Sequence, residues 1–119
     1  EYRKLNVIVV SANWWYKSEY SYSPNLHIKV VNPYKKKIKY LYFTLTGINA
    51  VNDVAGTTTV TGIGPIEYGG TAEYEFDHTV NSKVIDKLVV KSIKILFFDG
   101  SSMIVSKNRK IEYYNYETK

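Results

Sequence analysis

The stretch NPYKKKIKYLYFTLTGINAVNDVAG, Asn32 to Gly56, reads as a turn, a long half-buried strand and a second turn. Lys39, Leu41, Phe43, Leu45 and Gly47 alternate with Ile38, Tyr40, Tyr42, Thr44 and Thr46. A period of two assigns the first set to a core face and the second to the opposite face. Asn32-Pro33 leads in, and Asn52-Asp53 with Gly56 leads out, the residue types that turns select. The same grammar recurs along the chain and makes it all-β.

Working outward, the pattern predicts roughly seven strands. Near the start, Leu5, Val7 and Val9 alternate with Asn6, Ile8 and Val10, so both faces there are apolar. Asn13 to Pro24 is irregular and rich in Ser, Tyr and Trp. Leu26, Ile28 and Val30 form a second strand, and the third runs from about Lys37 to Asn49. Thr57 to Thr61 is dense in β-branched residues and reads as a fourth strand. Gly62-Ile63-Gly64-Pro65 and Gly69-Gly70 bracket a corner. After it Ala72, Tyr74 and Phe76 alternate with Glu73, Glu75 and Asp77 in the cleanest apolar-in, polar-out pattern of the chain. Asn81 to Leu88 reads as a connection between sheets, with room for one helical turn capped by Ser82. Ile93, Ile95 and Phe97, then Asp99-Gly100, then Met103 and Val105 give the strongest hairpin signal, for which Asp-Gly favours a type I′ turn. Ile111 to Tyr116 either extends the last strand or frays. The pattern points to an immunoglobulin-like β-sandwich of about seven antiparallel strands, a single domain over residues 1–119, rather than an SH3-like or OB barrel, which use fewer strands. The expected core is Leu41, Phe43, Leu45, Tyr74, Phe76, Ile93, Ile95 and Phe97.

Length and composition agree. At 119 residues, with 45% hydrophobic and 23% charged residues, the chain is long and apolar enough to bury a core. It has no cysteine, which excludes disulfides and thiolate metal sites. Twelve tyrosines and two tryptophans against four phenylalanines give most aromatic mass a polar handle, suited both to strands and to contact surfaces. The net charge of +5 gathers at Lys35, Lys36, Lys37 and Lys39 and again at Lys107, Arg109 and Lys110. Phosphate could be neutralised by such patches, but no nucleic-acid-binding motif accompanies them, and an exposed hairpin tip explains the first run. No apolar run approaches the length of a membrane span. The opening Glu1-Tyr2-Arg3-Lys4 is neither a signal segment nor an initiator methionine, which points to a mature or excised fragment.

The run Asn32-Pro33-Tyr34-Lys35-Lys36-Lys37-Ile38-Lys39-Tyr40, continuing through Phe43-Thr44 to Asn49-Ala50-Val51-Asn52-Asp53, resembles a small bacterial β-sandwich family. That family is similar in style to the FxLYD domains and is common in secreted or lipid-anchored proteins of gut Bacteroidetes. Gly62-Ile63-Gly64-Pro65-Ile66-Glu67, Tyr74-Glu75-Phe76, Ile93-Lys94-Ile95 and Asp99-Gly100-Ser101 match as well. The resemblance covers roughly residues 26 to 106 and departs at Tyr68-Gly69-Gly70, where something closer to Pro-Gly-Glu is expected. It implies an extracytoplasmic, non-catalytic module in the periplasm or at the cell surface, with no cofactor and no active residues to carry over.

The residues themselves lead to the same expectation. His27 lies between Leu26 and Ile28 and so falls on the opposite, outward face. His78 follows Asp77, and an Asp-His pair can orient an imidazole for base catalysis, but no Gly-x-Ser-x-Gly elbow supplies a nucleophile. Glu73, Glu75 and Asp77 share a face near His78 and would hold calcium only with further loop ligands; a solvated strand face explains them more simply. Gly62, Gly64, Gly69 and Gly70 do not lead a strand into a helix, so they make no phosphate cradle.

One feature points to a ligand. Trp14, Trp15, Tyr16, Tyr20 and Tyr22 crowd into the irregular stretch, and exposed rings stack on sugars or dock proteins. The opposing reading is that a tryptophan plugs the core, as in many sandwiches. Strand alternation puts Trp14 with Tyr16 on one face and Trp15 on the other, so Trp15 is expected inward and Trp14 outward. Two functions follow: a structural or protein-docking module among envelope proteins, or a glycan-binding module using those rings.

Overall fold

Alternating β-branched and aromatic residues build seven strands among the described residues. The computed structural model describes residues 8–18 and 20–113, with side chains to residue 105, so the expectations for Leu5 to Val7 and for Tyr114 to Tyr116 lie outside the described residues. The strands are β1 (Val9–Trp15), β2 (Asn25–Val31), β3 (Ile38–Asn49), β4 (Val54–Ile66), β5 (Thr71–Phe76), β6 (Ile85–Phe97) and β7 (Ser102–Tyr113). Hydrogen bonds order them β4-β3-β6-β7-β1-β2-β5. One layer is β4-β3-β6-β7 and the other β1-β2-β5, antiparallel within each. The layers join where Asn13 and Trp14 of β1 pair in parallel with Glu112 and Tyr113 of β7. That single parallel contact departs from the all-antiparallel expectation.

The inner faces of both layers form one apolar core. Leu41, Phe43 and Leu45 of β3 and Ile93, Ile95 and Phe97 of β6 are buried, as their alternation requires. Leu26, Ile28 and Val30 of β2 face them from the other layer. Tyr74 and Phe76 are half-buried at its margin, with ring centroids 6.1 and 5.9 Å from that of Phe43.

Strict alternation fails at several register shifts, and two of them rescue the apolar pattern. At the start of β3, Ile38 is buried and Lys39 exposed, the reverse of a strict period of two, because the register shifts between Ile38 and Tyr40. In β6, Leu88 and Val90 point inward and so do Ile93, Ile95 and Phe97; the shift opposite Thr44 and Leu45 absorbs the extra residue at Lys91. A bulge inserts one residue and so moves every later side chain to the face its chemistry needs.

Several boundaries differ from expectation. β4 runs through the expected corner to Ile66, with a cis peptide at Gly64-Pro65. Gly64 stands in close approach to β3, where a Cβ would clash with the Ile38 carbonyl. Ile85 to Leu88 belong to β6 rather than to a helical turn, and Val80 fills the core from the preceding bends. Lys35 to Lys37 occupy the crossover from β2 to β3, which lie in different layers, so this loop is no hairpin tip.

The β6–β7 hairpin is one residue longer than a type I′ turn. Gly100 N–H donates to the Phe97 carbonyl, Phe97 N–H donates to Ser101, and positive φ occurs at Gly100 but not at Asp99. This is the three-residue loop that ends in a left-handed residue. The β3–β4 hairpin repeats it with Asn52 (φ 66°) in the left-handed place.

Candidate interaction surface

The aromatic stretch divides in two. Trp14 and Trp15 lie at the end of β1 and both are buried, each 3% exposed. Trp14 belongs to the core cluster, so the expectation that it points outward is corrected. Its ring meets that of Tyr16 edge-on at 5.7 Å. Tyr16 is itself engaged: its hydroxyl donates to the Ser82 carbonyl (2.7 Å) and accepts from Ile85 N–H (3.1 Å), fastening the end of β1 to the start of β6. Only Tyr20 and Tyr22 are open to solvent, 78% and 67% exposed. They project from a turn held by Ser18 and Ser21, and the Lys83 ammonium lies 5.0 Å from the Tyr22 ring centroid.

The histidines and carboxylates are strand-surface residues. His27 Nε2 lies 3.0 Å from Glu73 Oε1 across the β2–β5 pair, a diagonal contact, since the residue directly opposite His27 is Glu75 and Glu73 is opposite Lys29. His78 sits just past β5 with φ 59°; its backbone N–H donates to Asn25 Oδ1 and its ring meets Ser23 Oγ at 3.4 Å. Glu73, Glu75 and Asp77 are exposed. Among the described residues, no group of three or more His, Cys, Asp or Glu stands close enough to hold a metal ion.

A different surface is assembled on the outer face of the β4-β3-β6-β7 layer. Register places Tyr40 between Ile63 and Leu96, and Tyr42 between Thr61 and Lys94, with Ile104 beyond Lys94. The two tyrosine rings are 6.1 Å apart and tilted by 41°. Ile63 and Ile104 are 70% and 63% exposed, unusually open for aliphatic side chains flanking two aromatic rings. Phe98 extends the patch at the hairpin tip, where the Lys37 and Lys39 ammonium groups stand 5.0 and 6.0 Å from its ring centroid. Lys37 also faces Glu67 at 3.6 Å and Lys36 faces Asp99 at 3.2 Å, so the first lysine run is partly matched by acids of neighbouring loops. Lys39 and Lys94 have no ion pair among the described residues. The patch thus combines aromatic and aliphatic side chains with three cations, Lys37, Lys39 and Lys94, of which Lys37 is matched by Glu67. The sequence did carry a signal for it: Tyr40 and Tyr42 put large aromatic groups on the face opposite Leu41 and Phe43.

Loops at this end are held in place by Asn32, which is fully buried. Its Nδ2 donates to the carbonyls of Lys36 and Ile66, each at 2.9 Å, and its Oδ1 accepts from Tyr34 N–H at 2.8 Å. Its backbone pairs with Gly69 and Gly70 in the β4–β5 turn, where Gly69 has φ 80°. One side chain therefore joins the crossover, the end of β4 and the turn.

No protein-family model and no curated protein matches the chain. Among solved structures it is similar to the Northeast Structural Genomics Consortium target SoR45, at 12% identity and a TM-score of 0.48, over 75% of this chain and 69% of the other. No helix among the described residues is long and apolar enough to cross a membrane.

Proposed function

We propose that the chain is a non-catalytic, extracytoplasmic module of immunoglobulin-like type that serves a structural, protein-docking role within an assembly of envelope proteins. The observation that carries this reading is the open face around Tyr40, Tyr42, Ile63, Leu96 and Ile104, with Lys39 and Lys94 among them. Flat aromatic and aliphatic surface bordered by cations suits contact with another protein, because tyrosine loses little side-chain freedom on binding and keeps a hydroxyl for a wet rim. The strand grouping supports the immunoglobulin-like part. Strands 1, 2 and 5 lie in one layer and 3, 6 and 7 in the other, as in immunoglobulin domains, while β4 departs from the constant type by pairing with β3 instead of joining strands 1, 2 and 5. Burial of both tryptophans favours a scaffold over a sugar-stacking platform. The residues resembling the secreted Bacteroidetes family supply the extracytoplasmic setting.

A glycan-binding reading now rests on Tyr20 and Tyr22, the two rings of the stretch that solvent reaches. Two variants separate the readings. Lys94→Glu with Ile104→Glu alters exposed positions of the open face, and Tyr20→Ser with Tyr22→Ser removes the loop rings. Cross-linking in bacterial envelope extract should lose its protein partner with the first variant and keep it with the second. Glycan-array binding that vanishes with the second variant and survives the first would overturn the docking role.

A further inference from the structure

The two outermost strands are protected very differently. β5 is 6 residues long and carries Glu73 and Glu75, both exposed. β4 is 13 residues long, and VAGTTTVTGIGPI contains no charged side chain. An unpaired edge offers a row of backbone donors and acceptors, and proteins commonly blunt it by shortening the strand or charging it. β5 shows both devices and β4 shows neither.

Part of the β4 edge is closed from within. The Tyr74 ring lies over Gly62, where a Cβ would come within 2.7 Å of it, and its hydroxyl donates to the Ile63 carbonyl at 3.1 Å. From Thr57 to Thr61 the strand pairs with β3 on one side, and no other described residue hydrogen-bonds its backbone. This open segment is Thr-Thr-Thr-Val-Thr, β-branched at every position and therefore preset for extended structure.

We propose that residues 57–61 pair antiparallel with the same segment of a second copy of this chain, joining two β4-β3-β6-β7 layers into one continuous sheet. Antiparallel self-pairing of an edge is two-fold symmetric and closes after one contact. It sets Thr59 opposite Thr59 and Thr57 opposite Thr61, so the exposed threonines of both copies stay on one face. The occupant follows from charge. In a two-fold pair each charged residue meets its own kind near the axis, a penalty that an uncharged strand avoids. Farther out, the same pairing turns the exposed loop containing Asp53 of one copy towards the other copy's Gly64 end, where Lys39 is exposed on the neighbouring strand. Glu67 at that end is matched by Lys37 at 3.6 Å, so with Lys39 the Asp53 carboxylate meets a net excess of positive charge. The pairing goes beyond the docking role of the open face and does not depend on what that face contacts.

Sedimentation equilibrium of the wild-type chain up to about 1 mM, the range of a weak dimer, tests the pairing. The mass should rise from 13.7 kDa towards twice that value with concentration. Thr59 is exposed, so Thr59→Lys leaves the fold intact by circular dichroism and should hold the mass at the single-chain value, while Thr59→Val should still dimerise. Thr59→Cys should form an interchain disulfide on oxidation far more readily than a cysteine placed on the β5 edge at Glu75. A wild-type chain that keeps the single mass at about 1 mM overturns the proposal, whether or not another protein's strand binds there. So does a Thr59→Lys variant that dimerises as well as wild type.

Discussion

Asn32 satisfies its whole side-chain amide inside the protein, with two carbonyls for its NH2 and one N–H for its oxygen. Asn32→Ala leaves those buried backbone groups without partners, a cost of about 1–3 kcal/mol for each group that water cannot reach. Urea denaturation should therefore show a loss of about 3 kcal/mol in total. Asn32→Asp should be worse, because a carboxylate has no donors for the Lys36 and Ile66 carbonyls and presents negative charge to both. An Asp variant more stable than the Ala variant would argue against this assignment of the amide. At the same scale, Trp14 and Trp15 are equally buried, so single-tryptophan variants should both resist acrylamide quenching. Strand alternation separates the two rings and assigns Trp15 to the core, whereas it is Trp14 that joins the core cluster. What it does not contain is the environment each ring meets, and both meet enough protein to exclude water. That is why the period could not identify an exposed ring.

At the scale of elements, the β6–β7 hairpin carries a charge-dependent contribution. Asp99 accepts from the Ser101 hydroxyl and from Ser101 N–H, and lies beside Lys36. Chiefly through the Ser101 hydroxyl, then that N–H and Lys36, its carboxyl is lowered from 3.8 to about 2. The folded state therefore holds the ionised form in preference to the unfolded chain. The resulting stabilisation is fully present above the unfolded carboxylate range, near pH 4, and is lost as pH falls towards 2. The stability difference between wild type and Asp99→Asn should shrink over that window, and its Lys36 component should also shrink with salt. A difference that stays constant from pH 5 to pH 2 would exclude the mechanism. Asp99-Gly100 made this hairpin legible in the sequence, but its loop length depends on which residue takes positive φ, and a dipeptide does not state that. The bulges near Ile38 and Lys91 were hidden for a related reason. Register is a property of two strands, and a single strand shows only that its period slips. The sequence of β4 looks shorter than the strand is because Gly62, Gly64 and Pro65 resemble a corner, whereas Gly64 serves a close backbone approach to Ile38 within the sheet.

For the whole molecule, the two layers share one core and meet along β7 and β1, so they should unfold together. The two tryptophans sit in β1, in one layer, and Phe43 sits in β3, in the other. Phe43 is fully buried and touches the rings of Tyr74 and Phe76, so its contacts cross between layers. Phe43→Ala removes that bridge and opens a cavity costing about 3–5 kcal/mol, a large share of the roughly 5–15 kcal/mol that holds a domain folded. With a urea slope of about 1–3 kcal/mol per molar, the midpoint should fall by more than about 1 M. Because unfolding of a single core is cooperative, tryptophan fluorescence and far-ultraviolet circular dichroism should report the same midpoint before and after the substitution. The fluorescence measurement is the discriminating one, since no tryptophan lies in the layer that bears the substitution. If the circular dichroism transition moves while the tryptophan transition stays, the layers are separate folding units. The parallel β1–β7 contact would then be a junction between two cores rather than a seam within one.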